Sequence, residues 1–334
     1  DYVFRSAEAT NDHPILIDQF IENAFEFDVD ALCDGKEVFI AGIMQHIEEA
    51  GVHSGDSSCV IPPYDMSDKI KKNIIDMTTK LALELNVIGL INLQFAVKGN
   101  EVYVLEVNPR SSRTVPFVSK YSNVPLANIA AQLSVGKKLK DFNLEENNFN
   151  HIAVKKAVLP FKKFKNEKIF LGPEMKSTGE VMGIDSEPGV AFLKAMQSDG
   201  YTVPNEGTAF VSISDIDKKR ALPIIRDLTK LNFTIIATKG TADFFTENGI
   251  ECTSIFKVGE GRPNVVDEIL NDNIHLVINT PLGAQSRYDE EAIGKTSVMK
   301  NILTITTLAG AKAAIAAMSH LDQVSVKPLQ EYFK

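Results

Sequence analysis

Apolar and polar positions alternate along two neighbouring stretches, Ile91-Asn92-Leu93-Gln94-Phe95-Ala96-Val97 and Val104-Leu105-Glu106-Val107-Asn108. A period of two predicts strands, on which alternate side chains share a face. Glu106 and Asn108 then point the same way, and Val107 points into a core. Lys98-Gly99-Asn100 between the stretches is a turn signal, so the pair reads as an antiparallel hairpin. A three-residue loop, Gly99 to Glu101, sets Gln94 opposite Glu106 and Asn92 opposite Asn108. All four polar side chains then share one face, a match that a one-residue slip would break. The pattern alone also fits a hairpin with one solvated face.

Other elements follow from the same reading. Pro14 to Ile21 is an apolar strand, and Phe25 to Ala31 a second one. On the second, Phe25, Phe27 and Val29 face one way, and Glu26, Asp28 and Asp30 the other. The acid row alone also fits an exposed strand face. Val38 to Met44 is the next strand. Ser67 caps a helix from Asp68 to about Asn86, with Ile70, Ile74, Ile75, Met77, Leu81 and Leu85 near helical spacing. Ala127 to Leu133 is a helix stopped by Gly136, Val154 to Phe161 a strand, and Glu187 starts a helix that runs to about Ser198. Turn formers cluster from Gly200 to Gly207, which divides the chain into 1–200 and 206–334. Beyond that boundary strands alternate with helices. The strands are Ala209–Ile213, Phe233–Thr238, Ile274–Asn279 and Ile302–Thr306. This rhythm predicts a parallel sheet covered by helices, with ligands at the carboxyl ends of its strands.

Composition narrows the function. The chain has 334 residues, enough for about two domains. Hydrophobic residues make up 44%, enough for real cores. A net charge of −9 argues against a nucleic-acid partner. Cys33, Cys59 and Cys252 are too few and too scattered for a disulfide framework or a zinc site. No signal peptide or apolar run of roughly 20 residues is present, so a cytoplasmic protein without membrane contact is expected.

The hairpin carries candidate chemistry. A carboxylate and amide oxygens side by side suit a hard cation that also holds phosphate oxygens. Arg110 and Arg113 follow on the loop, where planar donors can grip an anion. Gly51 to Gly55 is a glycine-bounded loop that permits close approach of a ligand. Thr238-Lys239-Gly240-Thr241 joins a strand to a helix, where hydroxyls and free amides make an anion site that Lys218 and Lys257 could support. Lys162, Lys163, Lys165 and Lys168 read as a solvated basic surface.

Leu105-Glu106-Val107-Asn108-Pro109-Arg110 with Arg113 to Lys120 resembles the large subunit of carbamoyl phosphate synthetase. More narrowly, it is similar to the second of that family's two ATP-grasp modules, the one that makes carbamoyl phosphate. His46 to Ser57 and Leu171 to Gly183 match the same module. The resemblance implies an α+β ATP-grasp C-terminal lobe, an antiparallel sheet with helices. An α/β parallel-sheet domain like methylglyoxal synthase follows it and binds phosphorylated effectors. It also implies that Gln19 and Ile21 flank adenine, that Glu26 takes the ribose, and that Gly51, Val52, His53, Ser54, Gln94 and Glu106 contact ATP. Gln94, Glu106 and Asn108 would ligate Mg²⁺ or Mn²⁺, with Arg110 and Arg113 as the catalytic arginines. Effector contacts would be Ser212, Lys218, Thr238, Thr241, Lys257 and Asn279. A nucleoside monophosphate or similar metabolite is the expected effector. A small glutaminase subunit is the expected partner, and self-association is open.

Two departures matter. Pro281 stands where some relatives have a hydroxyl, and Gln285 stands where a true methylglyoxal synthase has its aspartate. Glutamine cannot act as a general base, so the last domain reads as a sensor and not a lyase. The chain lacks an initiator Met, and the family's central lobe lies upstream of the segment resembled. Three readings are open. The chain is part of an ATP-dependent carbon–nitrogen ligase, or it acts alone only as a nucleotide- and effector-binding module, or it belongs to another ATP-grasp ligase such as a biotin carboxylase. The terminal domain argues against the third.

Overall fold

The computed structural model describes residues 19–21, 24–48, 50–64, 66–145, 149–160, 171–172, 174–280 and 287–333, with 287–290 described by backbone alone. The first sheet holds β1 (Phe25–Asp34), β2 (Val38–His46), β3 (Cys59–Ile61), β4 (Ile88–Lys98), β5 (Glu101–Asn108), β6 (Ile152–Val158) and β7 (Gly179–Asp185). Its order is β5-β4-β1-β2-β3-β6-β7, and every pair is antiparallel. Because β1 is flanked on both sides, its acid row is buried and not a solvated face. Glu26, Asp28 and Asp30 are 6%, 3% and 0% exposed.

The odd residues of β1, from Phe27 to Cys33, pack with α1 (Asp68–Glu84) through Ile70 and Ile74. On the other face Leu32 packs with α2 (Val115–Ser122) and α3 (Leu126–Ser134). Ser67 caps α1 as expected, its hydroxyl accepting from Ile70 N. The helix ends at Glu84, and Asn86 takes a left-handed φ of 51°. Leu85, expected on the apolar face, is instead 51% exposed just beyond the last turn.

The β4–β5 hairpin has the expected partners by an unexpected route. Gln94 faces Glu106 and Asn92 faces Asn108. The connection, however, has two residues, Gly99 and Asn100, because Lys98 pairs with Glu101. Gly99 has φ 61°, the conformation such a tight turn asks of glycine. A bulge restores the register: Gln94 pairs with Glu106, the next residue Phe95 pairs with Val104, and Leu105 is the extra residue.

The second sheet holds β8 (Gly207–Ile213), β9 (Phe233–Thr238), β10 (Thr253–Ile255), β11 (Leu276–Thr280) and β12 (Leu303–Ile305). The order is β10-β9-β8-β11-β12, all parallel, as the alternation implied. α5 (Lys218–Lys230), α6 (Lys239–Glu247) and α9 (Leu308–Met318) cover one face. α7 (Val265–Leu270) and α8 (Arg287–Met299) cover the other. A single apolar cluster runs from Val60 and Val154 through α4 (Pro188–Ser198) to Ala209 and Leu276, so both sheets share a core. The chain's end returns to the first sheet, where the Tyr332 hydroxyl donates to Ile184 O at 2.7 Å.

Several expectations lie outside the described residues: the strand from Pro14 as far as Asp18, the basic run at 162–168, and the turn containing Pro281 and Gln285. Gln19 to Ile21 are described and are not strand. The strand expected to reach Phe161 stops at Val158.

Candidate functional site

The even side of β1 forms the floor of a cleft. Glu26 Oε2 accepts from Gln94 Nε2 at 3.0 Å, and Oε1 accepts from the Gly51 amide at 3.3 Å. One carboxylate thus ties the hairpin to the glycine-bounded loop. His46, at the end of β2, lies between two acids. Its Nδ1 is 3.2 Å from Glu26 Oε2 and its Nε2 is 3.1 Å from Asp28 Oδ2. These are ion-pair contacts, neither of them aligned as a hydrogen bond. Burial alone lowers the imidazole's pKa, but Cys59 and Asp28 outweigh it and hold His46 well above its usual value.

The loop over this floor is clamped by a distant segment. Asp56, 2% exposed, accepts from the amides of Lys176 and Ser177 at 2.8 Å each. His53 N donates to Gly172 O at 2.8 Å. The Gly55 amide donates to His53 Nδ1 at 3.0 Å, so a neutral ring carries its proton on Nε2. That arrangement suits a binding residue. Phe20 sits beside the loop: a Cβ on Gly51 would lie 3.3 Å from its ring. The segment holding Gln19 and Ile21 therefore borders Gly51.

The cleft has a volume of about 290 Å³ and is lined by His53, Ser54, Gln94, Glu106 and Asn108, among others. Arg110 folds over its rim, donating to Asn108 Oδ1 at 3.2 Å and Ser111 O at 3.0 Å. A second hollow of about 350 Å³ includes Lys120 and Thr178. Arg113, Gly55 and Glu180 line both hollows. Sequence reasoning missed the cation beneath. Lys155, 1% exposed on β6, donates to Ser54 O at 3.1 Å. Burial lowers its pKa, yet Cys59, Glu180, Asp28 and Glu48 raise it further. The available signal was a pair of lysines, Lys155 and Lys156, in the middle of an otherwise apolar strand. His46 was missed because the strand was drawn as stopping at Met44.

Gln94, Glu106 and Asn108 present one carboxylate and two amides on one face. The Gln94 amide nitrogen is committed to Glu26, which leaves its oxygen for another partner. Such a set of oxygens fits a hard divalent cation.

In the second sheet the six residues expected to contact an effector lie at or just beyond the carboxyl ends of four strands and on α5 and α6. Ser212 pairs with Asn279, and Ile255 pairs with Thr238, with Lys257 two residues on. Thr238 is the residue before α6, and its side chain makes no capping bond. Thr241 is 3% exposed, with its hydroxyl 3.5 Å from the amide and the carbonyl of Ile213. That hydroxyl is turned into β8 and not outward. Lys218 Nζ donates to Gly240 O at 2.8 Å and pairs with Asp215 at 2.7 Å.

Residues 2–142 match the family model described as carbamoyl-phosphate synthase L chain, ATP binding domain, and residues 220–306 match the MGS-like domain. A carbamoyl phosphate synthase large chain from Archaeoglobus fulgidus is 52% identical over 99% of this chain. Those from Acidobacterium capsulatum and Methanobrevibacter smithii are 51% and 49% identical over 98% and 99% of it. The chain spans 31–32% of the length of these relatives. A solved biotin carboxylase domain of a single-chain bacterial carboxylase is 19% identical with a TM-score of 0.38, covering 42% of this chain and 33% of that one. That likeness is too slight to bear on the fold.

Proposed function

Because the chain belongs to the carbamoyl phosphate synthase large-chain family, we propose that it carries one wall of a site where ATP phosphorylates carbamate to carbamoyl phosphate. The observation that carries this reading is the cleft itself: Gln94, Glu106 and Asn108 of the β4–β5 hairpin line it together with the buried Lys155 and the exposed Arg113. In the reaction a carbamate oxygen attacks the γ-phosphorus of ATP, and ADP leaves. Arg113, Arg110 and Lys155 supply fixed positive charge where negative charge spreads in the transition state. Gln94, Glu106 and Asn108 would hold Mg²⁺ or Mn²⁺, which would supply positive charge to the phosphates of ATP.

The remaining residues bind and orient. Glu26 already accepts from Gly51 and Gln94, and a carboxylate has about four acceptor sites, which leaves room for a ribose hydroxyl. Gln19, Ile21, Gly51, Val52, His53 and Ser54 frame the nucleotide. The division at 200–206 separates this lobe from an effector-binding domain. There the family match to an MGS-like domain supports recognition of a nucleoside monophosphate or similar anion near Ser212, Thr238 and Asn279. A glutaminase subunit as partner and a cytoplasmic setting complete the reading. No helix among the described residues is long and apolar enough to cross a membrane.

The test uses the full-length protein that contains this sequence. Glu106→Gln should abolish carbamoyl phosphate formation from ATP and carbamate. A variant with normal turnover would sink the assignment.

A further inference from the structure

One buried carboxylate lies beneath the lining of this cleft. Asp30 is fully buried on β1, and every donor that reaches it comes from the walls of the site. Asn92 Nδ2 donates to Oδ1 at 3.0 Å, Ser112 Oγ to Oδ1 at 2.7 Å, and Thr114 Oγ1 to Oδ2 at 2.5 Å. The two hydroxyls also lie 2.8 Å from each other. Ser112 and Thr114 are the immediate neighbours of Arg113, on either side.

Thr114 shows what this arrangement displaces. It is the residue before α2, where a threonine side chain ordinarily accepts from a free helix amide. Here it makes no capping bond and donates to Asp30 instead. The backbone around Asp30 is adapted to bring the helix near. Asp30 pairs with Gly42 at a register shift between β1 and β2, and a Cβ on Gly42 would lie 2.9 Å from Val118 of α2. Burial raises the Asp30 carboxyl to about 6, with Thr114, Ser112 and Asn92 opposing the rise. At pH 7 the group is then mostly ionised, and bonds to its ionised form are charge-assisted.

We propose that Asp30 is a positioning residue that fixes Arg113 in the cleft through the hydroxyls of Ser112 and Thr114. Arg113 is exposed and extends from a loop, so its backbone must be held from below if the guanidinium is to meet a developing charge in one place. Pinning both neighbours to one buried anion does this. The inference rests on the ligase reading above.

The experiment uses the full-length protein and measures kcat and KM for ATP-dependent carbamoyl phosphate synthesis. Thr114→Val should lower kcat by about ten- to a hundredfold, the scale of a small misplacement, with KM for ATP within threefold of the parent. Thr114→Ser keeps the hydroxyl and should restore kcat to within threefold. Asp30→Asn should lower kcat as Thr114→Val does, and the double variant should be no worse than the poorer single one. A Thr114→Val enzyme within threefold of the parent would overturn the proposal, and so would losses that multiply in the double variant. If Asp30→Asn does not fold, the two Thr114 variants still decide. A parent protein unable to make carbamoyl phosphate would refute the ligase reading, whereas an active parent with an unaffected Thr114→Val variant refutes only the role of Asp30.

Discussion

His46 Nε2 lies 3.1 Å from Asp28 Oδ2, with both side chains almost wholly buried. The same ring reaches Glu26 with its other nitrogen. The imidazole thus stands between two acids on the floor of the cleft, and its raised pKa keeps it charged there. Replacing it removes the only cation paired directly with Asp28 among the described residues. His46→Gln should therefore cost about 3–5 kcal/mol, the scale for leaving a buried charge uncompensated. The pH dependence has a definite sign. A histidine whose folded pKa exceeds its unfolded value contributes fully below about 6.5 and loses that contribution as pH rises through the folded value. Urea unfolding should show the gap between parent and variant widest near pH 6 and narrowing at alkaline pH. A gap that grows with pH would refute a charged His46.

Lys155 answers the acids from β6 of the same sheet. Its ammonium is held by Ser54 O and surrounded by the charges of Glu180, Asp28 and Glu48. Raised pKa in a lysine means a fixed cation throughout the neutral range. Lys155→Met in the full-length protein should lower kcat by about 10²–10³, the loss typical of one preorganised electrostatic partner. The pH–rate profile of the parent between pH 6 and 9 should carry no limb that disappears in this variant. A variant with unchanged kcat would leave Lys155 a structural cation only.

The legible parts of this fold were those that local pattern controls. The hairpin partners Gln94 and Glu106 followed from alternation, because a sheet face admits only every second residue. The Leu105 bulge did not follow, since two apolar residues in a row look the same whether bulged or paired. The strand–helix rhythm after Gly207 was equally clear. β3 and β10, three residues each, escaped notice because they are too short to show an alternation, and β7 escaped notice as well. At the site, residues inside long motifs were legible. Asp30, His46 and Lys155 were not, because their importance comes from burial, and burial is decided by strand order. The acid row of β1 reads the same in sequence whether β1 is an edge or, as here, a centre strand.

The effector end shows how geometry redirects an experiment. Thr241 and Thr238 flank the same turn, yet their hydroxyls differ. Thr241 is turned into the β8 backbone, whereas Thr238 stands before α6 with its side chain making no capping bond. An anion at this helix N-terminus would meet free amides and the Thr238 hydroxyl first. Thr238→Ala should therefore weaken effector binding by about 1.5–3 kcal/mol, the range for a hydrogen bond to a charged group. Thr241→Ala should act mainly on stability, because it removes a buried contact with Ile213. An effector changes activity only by binding one conformation better than another, so Thr238→Ala should blunt the response and leave basal turnover intact. The measurement is effector titration by calorimetry beside activity with and without a purine or pyrimidine nucleoside monophosphate. Equal loss of binding and basal synthesis in Thr238→Ala would mean that the turn is structural, and the anion would have to be sought elsewhere on the sheet.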